Sequence, residues 1–158
     1  MNQTPWKDRL KSFHQSIQDF TRETTEKYDL IVSNPPFFSG GTLSDSLSRN
    51  EVRHTVKLPN GELLNCTRRL LAPKGRLAVI LPYIEGLRFQ EQAESYGLYC
   101  NKITEVYPKK GKPVERLLLE FSMEQKELVK KELIIQFDKR NDYTADYIAL
   151  TKEFYLNM

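Results

Sequence analysis

The sequence predicts an α/β fold built on a mostly parallel sheet, and three observations predict it. Two short apolar runs, residues 28–34 and 76–81, have the composition of strands buried on both faces. Segments with leucines and aromatics at helical spacing separate and follow them. Two further strand-like stretches, 99–107 and 114–121, are joined by a Lys/Gly/Pro loop and form a hairpin. Strands alternating with helices put the helices on the faces of a parallel sheet. The 158 residues suit one sizeable core.

Taken in order, residues 9–17 carry Leu10, Phe13 and Ile17 at helical spacing, but the stretch is short and lacks a clear cap, so it is ambiguous and is read as a strand. Residues 21–27 are polar and charged and read as a surface loop. The run YDLIVSN over 28–34 reads as a buried strand, stopped by Pro35-Pro36. Residues 39–48, rich in Ser and Gly, read as a loop. Over 61–71, Leu63, Leu64, Leu70 and Leu71 fall near one helical face. Pro73-Lys74-Gly75 is a turn, and 76–81 the second buried strand. Residues 85–96 read as a helix with Gly97 closing it. After the hairpin come an extra strand over 131–137 and a terminal helix over 143–155, with Tyr147, Leu150 and Phe154 at helical spacing.

Composition narrows the function classes. The chain is 39% hydrophobic and 28% charged, with net charge +3. No apolar run reaches bilayer length, and the opening MNQTPWKDR lacks a signal-peptide core. A soluble, cytoplasmic protein with no membrane partner is expected. Cys66 and Cys100 lie far apart and form no CxxC pair, so partly buried thiols are expected and no metal site. The mild positive charge permits a nucleic-acid partner. The basic residues cluster as Arg49, Arg53 and His54; as Arg68 and Arg69; and as Lys109, Lys110, Lys112 and Arg116.

The chemistry-bearing segment is DLIVSNPPF, from Asp29 to Phe37. In open α/β sheets ligands bind outside the carboxyl ends of the strands, where Asn34 falls. The exocyclic amine of adenine is a weak nucleophile because its lone pair is delocalised into the ring. Two acceptors that hold both N–H bonds favour a pyramidal nitrogen and free that lone pair. The Asn34 side-chain oxygen and the Pro35 carbonyl supply such a pair, and consecutive prolines fix the second one. Phe37 offers a flat face for a base, worth about 1–3 kcal/mol in stacking. Toward a sulfonium methyl donor, orientation and electrostatics then suffice without a metal.

With these residues in view, YDLIVSNPPFF over 28–38 resembles the Asn-Pro-Pro-Phe methyltransferases of the Rossmann-like class that use S-adenosylmethionine. Thr4 to Arg9, Gln18-Asp19-Phe20, Arg53-His54, the Leu70-Leu71 to Gly75 turn, Leu81-Pro82, Lys112-Pro113 and the stretch from Arg116 to Phe121 extend the resemblance to the bacterial tRNA-valine adenine N6-methyltransferases, which modify the adenosine 3′ of the anticodon. The resemblance implies a strand over 9–16. It implies catalytic roles for Asn34, Pro35 and Phe37. It places Asp19, Phe20 and Asn34 at the cofactor, with Phe20 equally readable as a core residue. It places Pro36, Phe38, Arg53, His54, Lys110, Lys112 and Arg116 toward tRNA. For Arg53, His54 and the lysines, a solvated charged face is the plainer alternative.

The chain departs from that family's pattern in one respect. The family opens with a strand, a Gly-rich loop and a second strand ending in an acid for the cofactor ribose, and no such segment precedes residue 9; Gly40-Gly41 follow the wrong strand. The expectation is a C-terminal part, 1–158, of a single truncated methyltransferase domain. Such a part would be inactive alone, bind cofactor weakly, and leave an apolar sheet edge open to self-association. Two alternatives stay open: an rRNA guanine N2-methyltransferase, and a non-catalytic RNA-binding or assembly module. A protein-glutamine methyltransferase fits less well, since that family more often carries Tyr after the two prolines.

Overall fold

A computed structural model describes residues 5–35 and 60–155. A 3-10 turn over Lys7–Arg9 leads into α1 (Ile17–Glu23) and β1 (Tyr28–Ser33). Then come α2 (Asn60–Leu70), β2 (Leu71–Pro82) and α3 (Tyr83–Glu94). The hairpin strands β3 (Tyr99–Lys109) and β4 (Arg116–Ser122) precede β5 (Val129–Gln136) and α4 (Ala145–Thr151).

The five strands form one sheet in the order β1-β2-β4-β3-β5. β1 pairs β2 in parallel, β4 lies antiparallel to both β2 and β3, and β5 pairs β3 in parallel. Four strands therefore run the same way and only β4 runs against them, as the alternation of strands and helices leads one to expect. The hairpin, the strand before residue 137 and the terminal helix also stand where the sequence places them.

One face of the sheet carries the core. The register lines up Ile31, Leu77 and Phe121 across three strands, and likewise Val79, Leu119 and Ile103. Leu63 and Leu64 of α2 and Phe89 and Ala93 of α3 pack against this face, with the Phe89 and Phe121 rings 5.5 Å apart edge to face. Gly97, at φ +67°, ends α3 in the left-handed conformation. The Leu98 N–H reaches back to the Ala93 carbonyl at 3.1 Å and the Gly97 N–H to that of Glu94 at 2.9 Å. This pairing satisfies the last carbonyls and buries Leu98 completely.

Residues 73–75 turn as expected, but inside β2. Between the pairs Tyr28↔Leu71 and Leu30↔Arg76, β1 advances two residues and β2 five. The excess bulges out, and it requires glycine at 75: a Cβ there would sit 2.6 Å from the Tyr28 carbonyl oxygen.

Three expectations are corrected. The run 28–34 is not buried on both faces, since β1 is half-buried to exposed throughout and Val32 is 72% exposed. Residues 10–16 are not a strand, because a strand exists only in a ladder and no strand lies beside this segment among the described residues. The segment instead turns its Phe13 ring onto Phe20, 4.8 Å between centroids. Residues 21–23 are not loop but the last turn of α1. The Ser16 hydroxyl accepts the Asp19 N–H at 3.1 Å and donates to its carboxylate at 2.7 Å, a cap that starts a short helix. A Gln18–Glu62 hydrogen bond and the packing of Ile17 on the core hold α1 against α2.

Candidate functional site

The common direction of β1, β2, β3 and β5 gathers their carboxyl ends at one end of the sheet. Asn34 follows β1 directly and is exposed, while Pro35 is buried. The last β1 pairing is Ser33↔Val79, and β2 runs on three residues to Pro82. At about 3.3 Å per residue, the end of β2 stands roughly 10 Å above that pairing and forms one wall of a step over Asn34.

The hairpin turn rises at the same end. Arg116 pairs with Pro82 and with Val106, two strands over from β1. The Tyr83 N–H donates to the Glu115 carbonyl at 3.0 Å, and the Glu115 N–H to that of Val106 at 2.9 Å, which seats the turn beside the start of α3. Lys110 and Lys112 are exposed at its tip, and neither makes an ion pair among the described residues. Glu105, lower on β3, accepts the Tyr107 hydroxyl at 2.8 Å. That bond, first among the causes, pushes the phenol up to about 12, so Tyr107 stays a neutral donor. The structure thus brings Asn34, Pro35, Lys110, Lys112 and Arg116 to one end of the sheet.

It does not bring Asp19 and Phe20 there. The Phe20 ring lies 6.3 Å from that of Tyr28, at the opposite end of β1. Six residues of strand separate Tyr28 from Asn34, about 20 Å. The Asp19 carboxylate is engaged by the Ser16 hydroxyl at 2.7 Å and by Arg22 at 2.9 Å. These two residues, where they stand, do not fit a cofactor shared with Asn34. Pro36, Phe37, Phe38, Arg53 and His54, and the loop expected over 39–48, lie outside the described residues.

Among the described residues no group of three His, Cys, Asp or Glu side chains is placed to hold a metal, and no helix is long and apolar enough to cross a membrane. Both thiols are free, Cys66 buried and Cys100 partly so, and burial pushes the Cys100 thiol up to about 11. Sequence grouping misses Lys139 and Arg140, which the parallel run of β5 carries to the same end as Asn34. Sequence spacing alone offered no signal for them, because the direction of β5 is set by its pairing with β3.

Known proteins place the chain. No family model matches it. A tRNA1(Val) (adenine(37)-N6)-methyltransferase from Mannheimia succiniciproducens is 38% identical over 157 residues, covering 99% of this chain and 63% of that protein. Proteins of the same name from Trichodesmium erythraeum and Flavobacterium johnsoniae are 40% and 41% identical, over 96% and 98% of this chain. The chain spans 63–66% of the length of these three relatives. In fold it is similar to a solved "predicted O-methyltransferase" from Agrobacterium tumefaciens, with TM-score 0.51 and 16% identity over 80% of this chain and 52% of that one. Over nearly its whole length the chain is similar to the C-terminal portion of proteins named tRNA1(Val) (adenine(37)-N6)-methyltransferase, and it spans less than two thirds of their length.

Proposed function

We propose that this chain is the C-terminal part, 1–158, of a cytoplasmic methyltransferase domain acting on adenine N6 of tRNA, the adenosine 3′ of the anticodon in valine tRNA. The observation that carries the reading is Asn34-Pro35 at the carboxyl end of β1, on the same end of the sheet as a hairpin with unpaired lysines. The names of the relatives support the substrate. In this reading the Asn34 amide oxygen and the Pro35 carbonyl accept the two N–H bonds of the target amine and expose its lone pair. Phe37 stacks on the base, Pro36 and Phe38 shape its slot, and Arg53, His54, Lys110, Lys112 and Arg116 face the phosphates. An unpaired loop base is inexpensive to splay out, so a surface step can take it.

S-adenosylmethionine is the methyl donor the reading requires, and it supplies an electrophilic methyl group. Among the described residues, Asp19 and Phe20 stand at the other end of β1 from Asn34. The chain's own part is therefore to hold and orient the amine, and the chain alone is expected to transfer little. The tests are transfer of labelled methyl to unmodified valine tRNA by this chain and by a chimera carrying the N-terminal portion of a relative before it. Label on the adenosine beside the anticodon is expected from the chimera. Asn34→Ala should lower it about 10²–10³-fold, the usual cost of one aimed polar group. Label on ribosomal RNA guanine instead would replace the substrate, and no transfer to any RNA would leave a non-catalytic module.

A second reading concerns partners and rests on exposure. β1 is an edge strand whose Leu30 and Val32 side chains are 46% and 72% exposed. We propose that two copies of the chain associate through this edge, where unpaired backbone groups and apolar side chains coincide.

A further inference from the structure

We infer that the loop following β5, with Phe137, Lys139 and Arg140, is a second RNA contact that grips the strand several nucleotides from the target base. The inference rests on the reading of the chain as an RNA methyltransferase and names a surface that reading does not use. β5 runs parallel to β3 to the pair Lys109↔Gln136, so the loop emerges beside the basic hairpin tip. The Lys109 ammonium donates to the Asp138 carbonyl at 2.8 Å and ties the two together.

The loop is a built turn. The Phe137 N–H donates to the Asp142 carbonyl at 2.8 Å, and the Asp142 N–H to that of Lys139 at 3.3 Å. Gln136 bridges Tyr143, and Asn141 takes the left-handed conformation at φ +65° that closes the reversal. At its tip Lys139 and Arg140 are exposed. Asp138 and Asp142 share the loop, but neither carboxylate comes within ion-pairing distance of the two cations. Phe137 is 52% exposed although it follows a strand whose Leu133 is buried. An uncovered aromatic ring beside unpaired cations is the combination that takes a base on its face and phosphates on either side.

Position sets the role. Four strand spacings separate β1 from β5, about 19 Å. One nucleotide seated at Asn34 does not reach that far, so the loop meets neighbouring phosphates. It acts on affinity and register, and leaves the handling of the amine unchanged.

The test is binding of a labelled anticodon stem-loop RNA to the whole chain by fluorescence anisotropy, over a salt series. Four proteins are compared: wild type, Lys139→Glu/Arg140→Glu, the milder Lys139→Gln/Arg140→Gln, and Lys130→Glu/Lys131→Glu as a charge-matched control lower on β5. The first variant should weaken binding at least tenfold, and the second should lower the salt slope by about 1.4–1.8, the value for two lost phosphate contacts. The control should bind as wild type does. Equal weakening by the control, no weakening by either loop variant, or no RNA binding by wild type would each overturn the inference. Methyl transfer by the chimera in saturating RNA separates the two readings. Normal transfer with reduced affinity supports the loop contact. Absent transfer with Asn34 intact counts against the methylation reading, and the loop variants' affinities still decide the contact.

Discussion

The two sides of this sheet differ in how completely they are finished. β2, β4 and β3 pair on both edges, and the β2 and β4 side chains facing α2 and α3 are almost wholly removed from water: Phe121 is 1% exposed. Among the described residues β1 has a strand neighbour on one edge only, and Val32 is 72% exposed. Yet the two strands read alike in sequence, as short apolar runs rich in Leu, Ile and Val. Composition states what a strand needs, and only the neighbours decide whether it receives it. The candidate site lies on this boundary: Asn34 hangs from the unfinished strand, and the basic hairpin from the finished side.

The largest effect should come from testing that contrast directly. Phe121→Ala is expected to destabilise by about 3–5 kcal/mol, because it opens a cavity beneath Phe89. Val32→Ala should change stability by about 0.5 kcal/mol or less. Denaturant unfolding of the two variants measures both. Comparable losses would mean that β1 is buried in solution and that the contrast does not hold.

How far the fold was legible follows the same line. The mostly parallel sheet, the hairpin, the helix ended by Gly97 and the turn at 73–75 were legible because each depends on local chemistry: apolar period, turn residues, a left-handed cap; that the turn is a bulge inside β2 was not. Residues 10–16 were not. The resemblance implied a strand there, and a strand needs a partner that no local signal guarantees. α1 was misread because its cap, Ser16 with Asp19, begins a helix of only seven residues on a polar surface, where periodicity has little to act on. The site divides in the same way. Asn34 and Pro35 were legible from the motif and the hairpin cations from their clustering. Asp19 and Phe20 were named by resemblance alone, and the structure sets them at the Tyr28 end of β1, away from Asn34. Lys139 and Arg140 needed the direction of β5, which spacing does not encode.

A smaller effect concerns the open edge itself. If two copies meet through β1, light scattering should give a mass rising with concentration toward twice the 18.5 kDa of the chain. Leu30→Lys/Val32→Lys should hold it at the monomer, since charges on an edge strand oppose pairing. The unfolding midpoint of that variant in dilute solution should fall only slightly, because Val32 is 72% exposed and Leu30 46%. A wild-type mass that stays monomeric at every concentration removes the self-association proposal.

The finest probe compares thiols on the two sides. Cys100 lies on β3, donates to the Lys102 carbonyl at 3.6 Å, and has its thiol held up at about 11 by burial first and by the charge of Glu120. An ordinary cysteine titrates near 8.5, so at pH 8 Cys100 carries on the order of 100-fold less thiolate. It should react that much more slowly with a thiol reagent, and its rate should keep climbing about tenfold per pH unit beyond the point where an unfolded cysteine levels off. Because the folded pKa is raised, the neutral thiol favours the folded state at low pH, and that contribution is lost as pH rises from the ordinary value toward 11. Cys66, buried in α2, should be slower still under native conditions. A cysteine placed by Val32→Cys should react at the rate of a free thiol. Peptide mapping after timed labelling reads all three positions in one sample. Fast labelling of Cys100 would mean that the finished side opens as readily as the edge, and the difference between the two sides would then be one of exposure in a static structure, without a difference in local stability behind it.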